Sequence, residues 1–360
     1  MDLPDIQKKA LGVLDDLDIV RRMPEEKAAE KEALWAKIVK EMKEFPKARP
    51  GLRRVYSSSL KRAAKTAELA ALTANNLPPI HRSVAIKEIQ LGYESDDDLT
   101  RQSEEALLHA RGEQEALERL RLLYAERGLP DPMADTPENR RQLADPMAAF
   151  EGGDSTQGYA ARVIKGYAAI LTHALEEEVR PIEVILTALP TPDEEFINHV
   201  FTVQKQLQTD PVKGMKMFDM GLTYPPFVTL CRQLAGHRIV LARHGETVFS
   251  KQKILTGGHI DTDLINEGAD AAVETGILLK LYNKTHPNDV KIIQIFGHSA
   301  ASAIIEAAVC ASCPQVTGWA NAQFKVAEPH IFNFEEGGKV DVTRVSRQSL
   351  AEELRLAVTL

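Results

Sequence analysis

The stretch from Arg238 to Thr247 constrains the fold of this chain more than any other. Its apolar part, Ile239 to Ala242, predicts a short buried strand that ends before Gly245. Arg243 and His244 follow at the end of that strand, where ligands bind in open α/β sheets. An arginine offers a planar set of donors suited to phosphate oxygens, and a neutral imidazole is a nucleophile. The plainer interpretation of such a pair, taken alone, is a surface loop after a core strand.

The segment after this strand makes the pair harder to dismiss. R-H-G-E-T followed by LTGGHIDTDLINEGADAA resembles the signature of the histidine phosphatase superfamily, which includes the phosphoglycerate mutases. In that signature a glycine-containing phosphate loop and an L-x-x-x-G helix start follow R-H-G-E-T, and the matching residues are Gly257, Gly258, Leu264 and Gly268. The resemblance implies a three-layer α/β/α sheet fold. It also implies that His244 is phosphorylated and that Arg243 and Gly257 bind phosphate.

A second motif of the same family, S-x-L-x-R-A-x-x-T-A, has a counterpart in S-S-S-L-K-R-A-A-K-T-A at residues 57–67. The apolar residues before it predict a strand, and Leu60 onward predicts a helix. Serines at such a turn cap the helix and donate to phosphate, although an ordinary N-capped helix is the alternative. The resemblance implies that Arg62 contacts the phosphoryl group, with Ser58 nearby.

The stretch from Ile86 to Glu94 resembles the family's third motif, L-x-E-x-x-x-G, whose glutamate is the general acid. Glu88 occupies that position, although a glutamate in such a stretch is more often a surface carboxylate. Because a general acid must be protonated, we expect its pKa to lie above the free value of about 4.3. Where the family has a tryptophan followed by E-G, this chain has Tyr93, Glu94 and Ser95.

The stretch from Asp289 to Ser299 predicts a strand that ends at His298, with a helix from Ala300 to Ala311 behind it. It resembles the family's last motif, a strand ending in H-G whose histidine binds the phosphoryl group. The resemblance therefore implies that His298 belongs to the site. Ser299 stands in place of the glycine, and we take it as a phosphate contact.

Two further departures concern the choice between hydrolysis and mutase chemistry. The family has an asparagine three residues after R-H-G-E-T that helps to hold phosphate, and this chain has Ser250. The family's glycine-tryptophan pair in the phosphate loop is replaced by Gly258-His259. Both changes favour a phosphatase over a phosphoglycerate mutase.

The motifs occur in an unusual order, because the serine-arginine motif and Glu88 precede R-H-G instead of following it. One account is a circular permutation, in which residues 51–345 form one domain. Residues 51–190 and 238–345 then share a site, and residues 191–237 connect them. The other account is two degenerate domains in tandem, with a predicted strand at Ile182 to Leu189 as the remnant of the first domain's last motif. We favour the permutation.

The other segments carry no clear chemistry. Residues 1–50 predict a helical N-terminal segment that serves packing or a homodimer, and residues 346–360 are a C-terminal tail. Residues 100–180 are predicted mostly helical, and Gly152 to Ser155 followed by Arg162 faintly resembles a G-E-S segment with its arginine. Further predictions are helices at Asp193–Leu207 and Asn266–Tyr282 and a hairpin at the sheet edge within 321–344.

Composition limits the class of protein. The net charge is -8 and aromatic residues are only 6% of the chain, which argues against nonspecific nucleic-acid or anionic-membrane binding. Three cysteines are too few for a disulfide framework, and Cys310-x-x-Cys313 indicates two small residues on a helix more than a redox or metal pair. The first residues lack a secretory pattern, and no apolar run reaches membrane-spanning length. We expect a soluble cytoplasmic protein.

The resemblance as a whole predicts a phosphomonoester hydrolase that works through a phosphohistidine, without cofactor or metal. His244 is the expected nucleophile, Glu88 the proton donor, and His298 with the two arginines the phosphoryl-binding groups. The expected partner is a phosphorylated small molecule or a phosphoprotein. A mutase-type phosphotransferase and a catalytically silent phospho-ligand scaffold remain the alternatives.

Overall fold

The computed structural model describes residues 3–44, 52–73, 79–89, 154–176, 180–251, 261–286, 290–318 and 323–359. The chain begins with two helices, α1 (Leu3–Arg22) and α2 (Ala28–Glu44), separated by a short 3-10 turn at Glu25–Lys27. These helices confirm the helical N-terminal segment. The apolar residues of α1 recur every three or four positions, so they share one buried face.

Seven strands form one mixed sheet: β1 (Leu52–Ser58), β2 (Ile80–Ser83), β3 (His237–Arg243), β4 (Lys291–Gly297), β5 (Gln315–Gly318), β6 (His330–Phe334) and β7 (Lys339–Arg344). Their spatial order is β2-β1-β4-β3-β6-β7-β5. The first four strands in this order are parallel, and β6 runs antiparallel to both of its neighbours. The strands that carry the predicted motifs are therefore adjacent in one sheet.

Helices cover both faces of the sheet: α3 (Lys61–Thr73), α4 (Thr156–Leu175), α5 (Ile182–Ala188), α6 (Glu194–Thr209), α7 (Pro211–Gly214), α8 (Pro225–Gln233), α9 (Val248–Lys251), α10 (Asn266–Thr285), α11 (Ser299–Ser312) and α12 (Arg347–Thr359). Side chains alternate along β3, so that Ile239 and Leu241 face one apolar core while Val240 and Ala242 face the other. The first core contains α4, α6, α8 and α11, and the second contains α1, α3, α10 and α12. The α/β class is confirmed, with helical layers on both sides of the sheet.

The predicted strand at Ile182 to Leu189 is wrong, because Ile182–Ala188 is helical. Its β-branched residues suggested a strand, but only Ile182 and Ile185 are buried, while Val184 is 52% exposed. That spacing of three buries one face of a helix, which begins after Pro181. The tandem-domain account loses the strand on which it depended.

The C-terminal hairpin is confirmed in β6 and β7, but its predicted place at the sheet edge is wrong. β6 pairs with β3 on one side, and β5 pairs with β7 on the other, so the short strand β5 is outermost. The helices predicted around residues 193–207, 266–282 and 300–311 are confirmed as α6, α10 and α11. The predicted tail forms α12, which packs against α1.

Cys231 in α8 and Cys313 at the end of α11 form a disulfide, while Cys310 is a buried free thiol. The low, odd cysteine count did not predict this bond, because Cys313 pairs across the fold and not with its sequence neighbour Cys310. No helix in the described ranges combines the length and the apolar character that crossing a membrane requires.

One carboxylate joins three helices on the face of the second core. Glu274 of α10 is 4% exposed and lies 2.6 Å from Nη2 of Arg21 in α1. Its other oxygen lies 2.6 Å from Nε of Arg347 in α12, and Arg347 also binds Asp18 of α1 at 2.8 Å. We call Glu274, Arg21, Arg347 and Asp18 the Glu274 cluster. Each of its charges has an opposite charge at hydrogen-bond distance.

Candidate active site

The predicted site residues meet at the carboxyl ends of three adjacent parallel strands. Arg243 at the end of β3 pairs in register with Gly297 at the end of β4, so His244 and His298 both lie one residue beyond the ladder. The amide of His244 donates to the carbonyl oxygen of Gly297 at 3.0 Å. Ser58 ends β1 on the other side of β4. Ligands bind at this edge in open α/β sheets.

The imidazole of His244 is held in one orientation and one tautomer. Its Nδ1 lies 2.7 Å from the carbonyl oxygen of Gly245, and a carbonyl can only accept, so Nδ1 carries the proton. Burial, followed by His298 and the arginines, lowers the pKa of His244 well below its usual value. The ring is therefore neutral near pH 7, and Nε2 keeps its lone pair.

The turn after β3 is fastened to two helices. The amide of Gly245 donates to Thr66 Oγ1 at 2.9 Å, and that hydroxyl donates to the carbonyl of Arg62 at 2.7 Å, both within or beside α3. The backbone of Gly245 touches that of Gly268 in α10 so closely that a Cβ on Gly245 would collide with the carbonyl oxygen of Gly268. The glycines of R-H-G and L-x-x-x-G are thus explained by one backbone contact.

His298 lies between Ser58 and Glu88 and is fully buried. Its Nε2 is 2.9 Å from the hydroxyl of Ser58, which also accepts the amide of Leu60 at 3.4 Å. Because this buried hydroxyl needs an acceptor for its own proton, we assign it as the donor to Nε2. The ring proton of His298 is then on Nδ1, which lies 3.2 Å from Oε2 of Glu88 without hydrogen-bond alignment.

Glu88 differs from the sequence expectation in its protonation. Burial alone would raise its pKa, but His298 above all, and then Arg62 and His244, lower it to about 2. The expected raised pKa is therefore wrong for this site without ligand, in which Glu88 is a carboxylate. The reason is that sequence reasoning considered the leaving-group proton and not the basic side chains of His298, Arg62 and His244 around Glu88.

The two arginines lie beside the histidines, with Arg62 buried and Arg243 partly buried. Arg62 is 2% exposed, and burial lowers the pKa of Arg62 and of Arg243 while Glu88 raises both. Both guanidinium groups act electrostatically on His244 and His298 and lower their pKa values. The Nε of Arg243 is buried without a hydrogen-bond partner within the described ranges. An unsatisfied buried donor of this kind costs about 1–3 kcal/mol, which an anionic ligand would offset.

Of the other predicted contacts, two serines are engaged with the protein. The hydroxyl of Ser250 accepts the amide of Thr247 at 2.7 Å and so caps the short helix α9. The hydroxyl of Ser299 donates to the carbonyl of Phe324 at 3.2 Å. Gly257, Gly258 and His259 lie outside the described residues, as do Tyr93 to Ser95 and residues 100–153.

Sequence reasoning gave no role to three residues at the site. The hydroxyl of Tyr159 in α4 lies 3.4 Å from Oε1 of Glu88, and Asp261 accepts the amide of Lys61 at the start of α3 at 2.5 Å. Thr66 was present in the quoted motif, and its position there was the available signal. Tyr159 stands in a segment without a motif, so only the fold brings it to the site. Asp261 lies within the quoted segment after R-H-G-E-T, where only the glycines and Leu264 were matched to the family.

The arrangement favours an anion, although its ligand set also fits a cation. One nitrogen of each histidine and one oxygen of Glu88 lie within 4.8 Å of one another, a spacing that could hold a divalent metal. Arg62 and Arg243, however, act on the same histidines, and their positive charge opposes metal binding. A neutral nucleophilic imidazole beside these cations suits attack on a phosphoryl group.

Comparison with known proteins finds no match among protein-family models, curated proteins or solved structures. The function therefore has to be argued from the geometry of the site.

Proposed function

We propose that the protein is a phosphomonoester hydrolase that acts through a phosphohistidine at His244. We further propose that its fold is a circularly permuted form of the phosphoglycerate mutase-like sheet. The observation that carries the proposal is the fixed tautomer of His244. Its Nδ1 proton is held by the Gly245 carbonyl at 2.7 Å, which leaves Nε2 free as the nucleophile.

The first step would be in-line attack of His244 Nε2 on the substrate phosphorus, with cleavage of the ester P–O bond. Arg62, Arg243 and the Nδ1 proton of His298 would offset the charge on the equatorial oxygens. The orphaned Nε of Arg243 supports this role, because it is a donor already buried at the site. Water then attacks the phosphohistidine and releases inorganic phosphate.

The proton for the leaving oxygen is assigned to Glu88, which must first gain one. A bound phosphoryl dianion would neutralise Arg62 and place negative charge near the carboxylate, and both effects raise the pKa of Glu88. Substrate binding would thus favour protonation of Glu88. The proton would come either from the monoanionic form of the substrate or from solvent. In the second step the same carboxylate accepts a proton from the attacking water.

The permutation is supported by the way in which the motif pieces complement each other. Ser58 and Arg62 come from the early part of the chain, and His244 and His298 come from the late part. All lie at one end of the adjacent strands β1, β4 and β3. A circularly permuted single domain would contain each motif once, in a changed order, and would bring the motifs together in one site.

Two rivals have specific support. A metal-dependent hydrolase is favoured by the close spacing of Glu88, His244 and His298. A silent phospho-ligand scaffold is favoured by the lowered pKa of Glu88, which leaves no ready acid before ligand binds. Mutase-type transfer is disfavoured, since Ser250 replaces an asparagine and its hydroxyl is engaged with Thr247.

The test is hydrolysis of an aryl phosphate by the wild-type protein, by His244→Ala and by the control His286→Ala. His286 pairs with Glu353 away from the site, so its replacement should leave turnover unchanged. His244→Ala should lose turnover by roughly 10⁴-fold or more. Brief incubation with ³²P-labelled substrate and an alkaline quench should trap an acid-labile phosphohistidine only where His244 is present.

Each rival gives a different result. A scaffold would bind inorganic phosphate without hydrolysing the ester. A metal enzyme would lose activity in EDTA, regain it with Zn²⁺ or Mn²⁺, and show no labelled histidine. Wild-type activity in His244→Ala would refute the proposed nucleophile.

A further inference from the structure

We propose that one face of α4, formed by Tyr159, Arg162 and Gly166, is a seat that positions the carboxyl group of Glu88 for proton transfer. We call these three residues the Glu88 seat. The inference rests on the proposed function for its chemistry. The contacts themselves can be tested without any turnover.

The segment that carries Glu88 needs an external support. β2 ends at Ser83, and residues 84–89 form a turn followed by irregular chain. Within this segment the amide of Lys87 donates to the carbonyl of Val84 at 3.1 Å, and the amide of Ala85 donates to Ser83 Oγ at 3.3 Å. A general acid on such a segment has no regular element to fix its position.

Arg162 supplies hydrogen bonds to this segment. Its Nη1 donates to the carbonyls of Ala85 at 3.2 Å and Lys87 at 3.1 Å, and its Nη2 lies 3.4 Å from the carbonyl of Glu88 itself. Nη2 also donates to Asp154 at 2.5 Å, just before α4 begins. One planar guanidinium thus holds several carbonyls of a single loop, which a lysine could not do.

Tyr159 acts on the carboxyl group. It is 2% exposed, and its hydroxyl lies 3.4 Å from Oε1 of Glu88, while Oε2 faces Nδ1 of His298 at 3.2 Å. Each carboxyl oxygen therefore has its own partner, Tyr159 for Oε1 and His298 for Oε2, and this limits rotation of the carboxyl group. The guanidinium carbon of Arg162 lies 5.2 Å from the centre of the Tyr159 ring, so the two seat residues support each other.

Gly166 completes the face by allowing close approach. Residues 159, 162 and 166 follow helical spacing and share one side of α4. A Cβ on Gly166 would lie 2.7 Å from Cβ of Ala85 and 3.1 Å from its backbone carbon. A side chain at this position would therefore push the Glu88 segment away from the helix.

The first experiment measures the loop and needs no substrate. Amide hydrogen exchange of residues 84–89 is compared in wild type, Arg162→Met, Gly166→Ala and the control Arg82→Met. Arg82 is a neighbouring exposed arginine whose side chain pairs with Glu68 at 3.3 Å, and its loss should leave exchange unchanged. We expect exchange to rise about tenfold in Arg162→Met, since one lost hydrogen bond to a charged group is worth that factor. In Gly166→Ala we expect a rise as well, because the new Cβ would push Ala85 and its segment away from the helix.

The second experiment separates positioning from general packing. In Tyr159→Phe we expect kcat to fall about fivefold to tenfold with KM within twofold of wild type. The alkaline limb of kcat should move to higher pH by roughly half a unit to one unit. The hydroxyl stabilises the ionised carboxylate, so its loss raises the pKa of Glu88. The other ionisable groups that act on Glu88 include His298, His244, Arg62, Arg243 and Tyr167, and all of these are retained.

Tyr224→Phe is the matched control, because it removes a hydroxyl that donates to the Pro190 carbonyl at 2.7 Å away from the site. Its pH profile should match that of wild type. Unchanged exchange in Arg162→Met and Gly166→Ala would overturn the seat whether or not the protein is active. An unshifted alkaline limb in an active Tyr159→Phe would also overturn the seat. If the wild-type protein has no phosphatase activity but exchange is still faster in Arg162→Met and Gly166→Ala, the seat stands and the proposed function is refuted.

Discussion

The candidate site and the Glu274 cluster each gather charged groups around a carboxylate that is largely removed from solvent, but they differ in how those groups are satisfied. In the Glu274 cluster each arginine meets a carboxylate oxygen at 2.6 to 2.8 Å. In the candidate site carboxylates also act on the arginines, Glu88 and Asp261 on Arg62 and Glu88 and Glu246 on Arg243. The Nε of Arg243 nevertheless has no hydrogen-bond partner within the described ranges. The Glu274 cluster is thus paired by direct contacts, whereas the site keeps an unsatisfied donor.

This difference separates groups that hold the fold from groups prepared for a ligand. A satisfied buried ion pair contributes to stability chiefly because removing one partner strands the other. An unsatisfied buried donor lowers stability and persists where binding a ligand compensates for it. Substitutions in the two regions should therefore affect different measurements.

The largest effect is expected for Arg243→Met. Loss of the guanidinium should reduce kcat/KM about 10³-fold, because a charge aimed at the transferring phosphoryl group is removed. The free energy of unfolding should change by less than about 1 kcal/mol, since Met replaces a desolvated guanidinium whose Nε has no hydrogen-bond partner in the described part of the chain. Phosphatase kinetics give kcat/KM, and urea denaturation gives the free energy of unfolding. Arg347→Met should show the reverse pattern, and equal loss of stability in both variants would erase the comparison.

Glu274→Gln should destabilise the fold by about 2–3 kcal/mol while leaving kcat within twofold of wild type. The change strands Arg21 and leaves Arg347 with Asp18 as its remaining partner in the cluster. The effect falls below the 3–5 kcal/mol of fully buried pairs because both arginines are about one-quarter exposed. Urea denaturation at pH 7 gives the free energy of unfolding. Stability within 0.5 kcal/mol of wild type would mean that the Glu274 cluster does not hold α1 and α12 to α10.

Acid should destabilise the protein in two stages, and the site contributes to both, although the lowered pKa of His173 adds to the first. The pKa of His244 is lowered in the fold, so the unfolded chain binds more protons and stability falls as the pH drops below about 6.5. Glu88 has its pKa lowered to about 2, so a further loss of up to about 3 kcal/mol occurs between about pH 4.3 and 2. Denaturation at a series of pH values gives the free energy of unfolding. Its fall below about pH 6.5 should be retained in Glu274→Gln and should be smaller in His244→Gln.

The smallest effect is stabilisation by sulfate, a dianion shaped like phosphate. Binding to the folded state alone at 100 times Kd contributes about 2.7 kcal/mol, which corresponds to a rise of a few degrees in Tm. The rise should persist in Arg347→Met and disappear in Arg243→Met. Differential scanning fluorimetry at constant ionic strength, with chloride as the balancing salt, checks it. An equal rise in both variants would indicate a general salt effect.

The sequence predicted the central strands and the residues at their ends because both depend on local patterns. Buried strands such as β3 are continuous apolar runs, and R-H-G and the serine-arginine segment are contiguous motifs. The helix at Ile182–Ala188 was missed because a seven-residue apolar stretch fits either structure until its buried face is known. Edge strand β5 is only four residues long and gave no signal.

The support around the site could not be predicted, because it joins residues far apart in the chain. Tyr159 reaches Glu88 across 71 residues, and the amide of Gly245 reaches Thr66 across 179. Neither contact follows from spacing along one element. The lowered pKa of Glu88 was missed for the same reason, since three of the groups that lower it come from other strand ends.

The disulfide between Cys231 and Cys313 divides the proposed catalytic groups by covalent connection. It closes a ring with a sequence separation of 82 residues, and both His244 and His298 lie inside it, whereas Arg62 and Glu88 lie outside. Under non-reducing conditions a single cut within the ring leaves the two imidazoles on one covalent fragment. A cut between Glu88 and Cys231 instead leaves Arg62 and Glu88 on one fragment and both imidazoles on the other. Neither fragment alone then carries both the proposed nucleophile and the proposed proton donor.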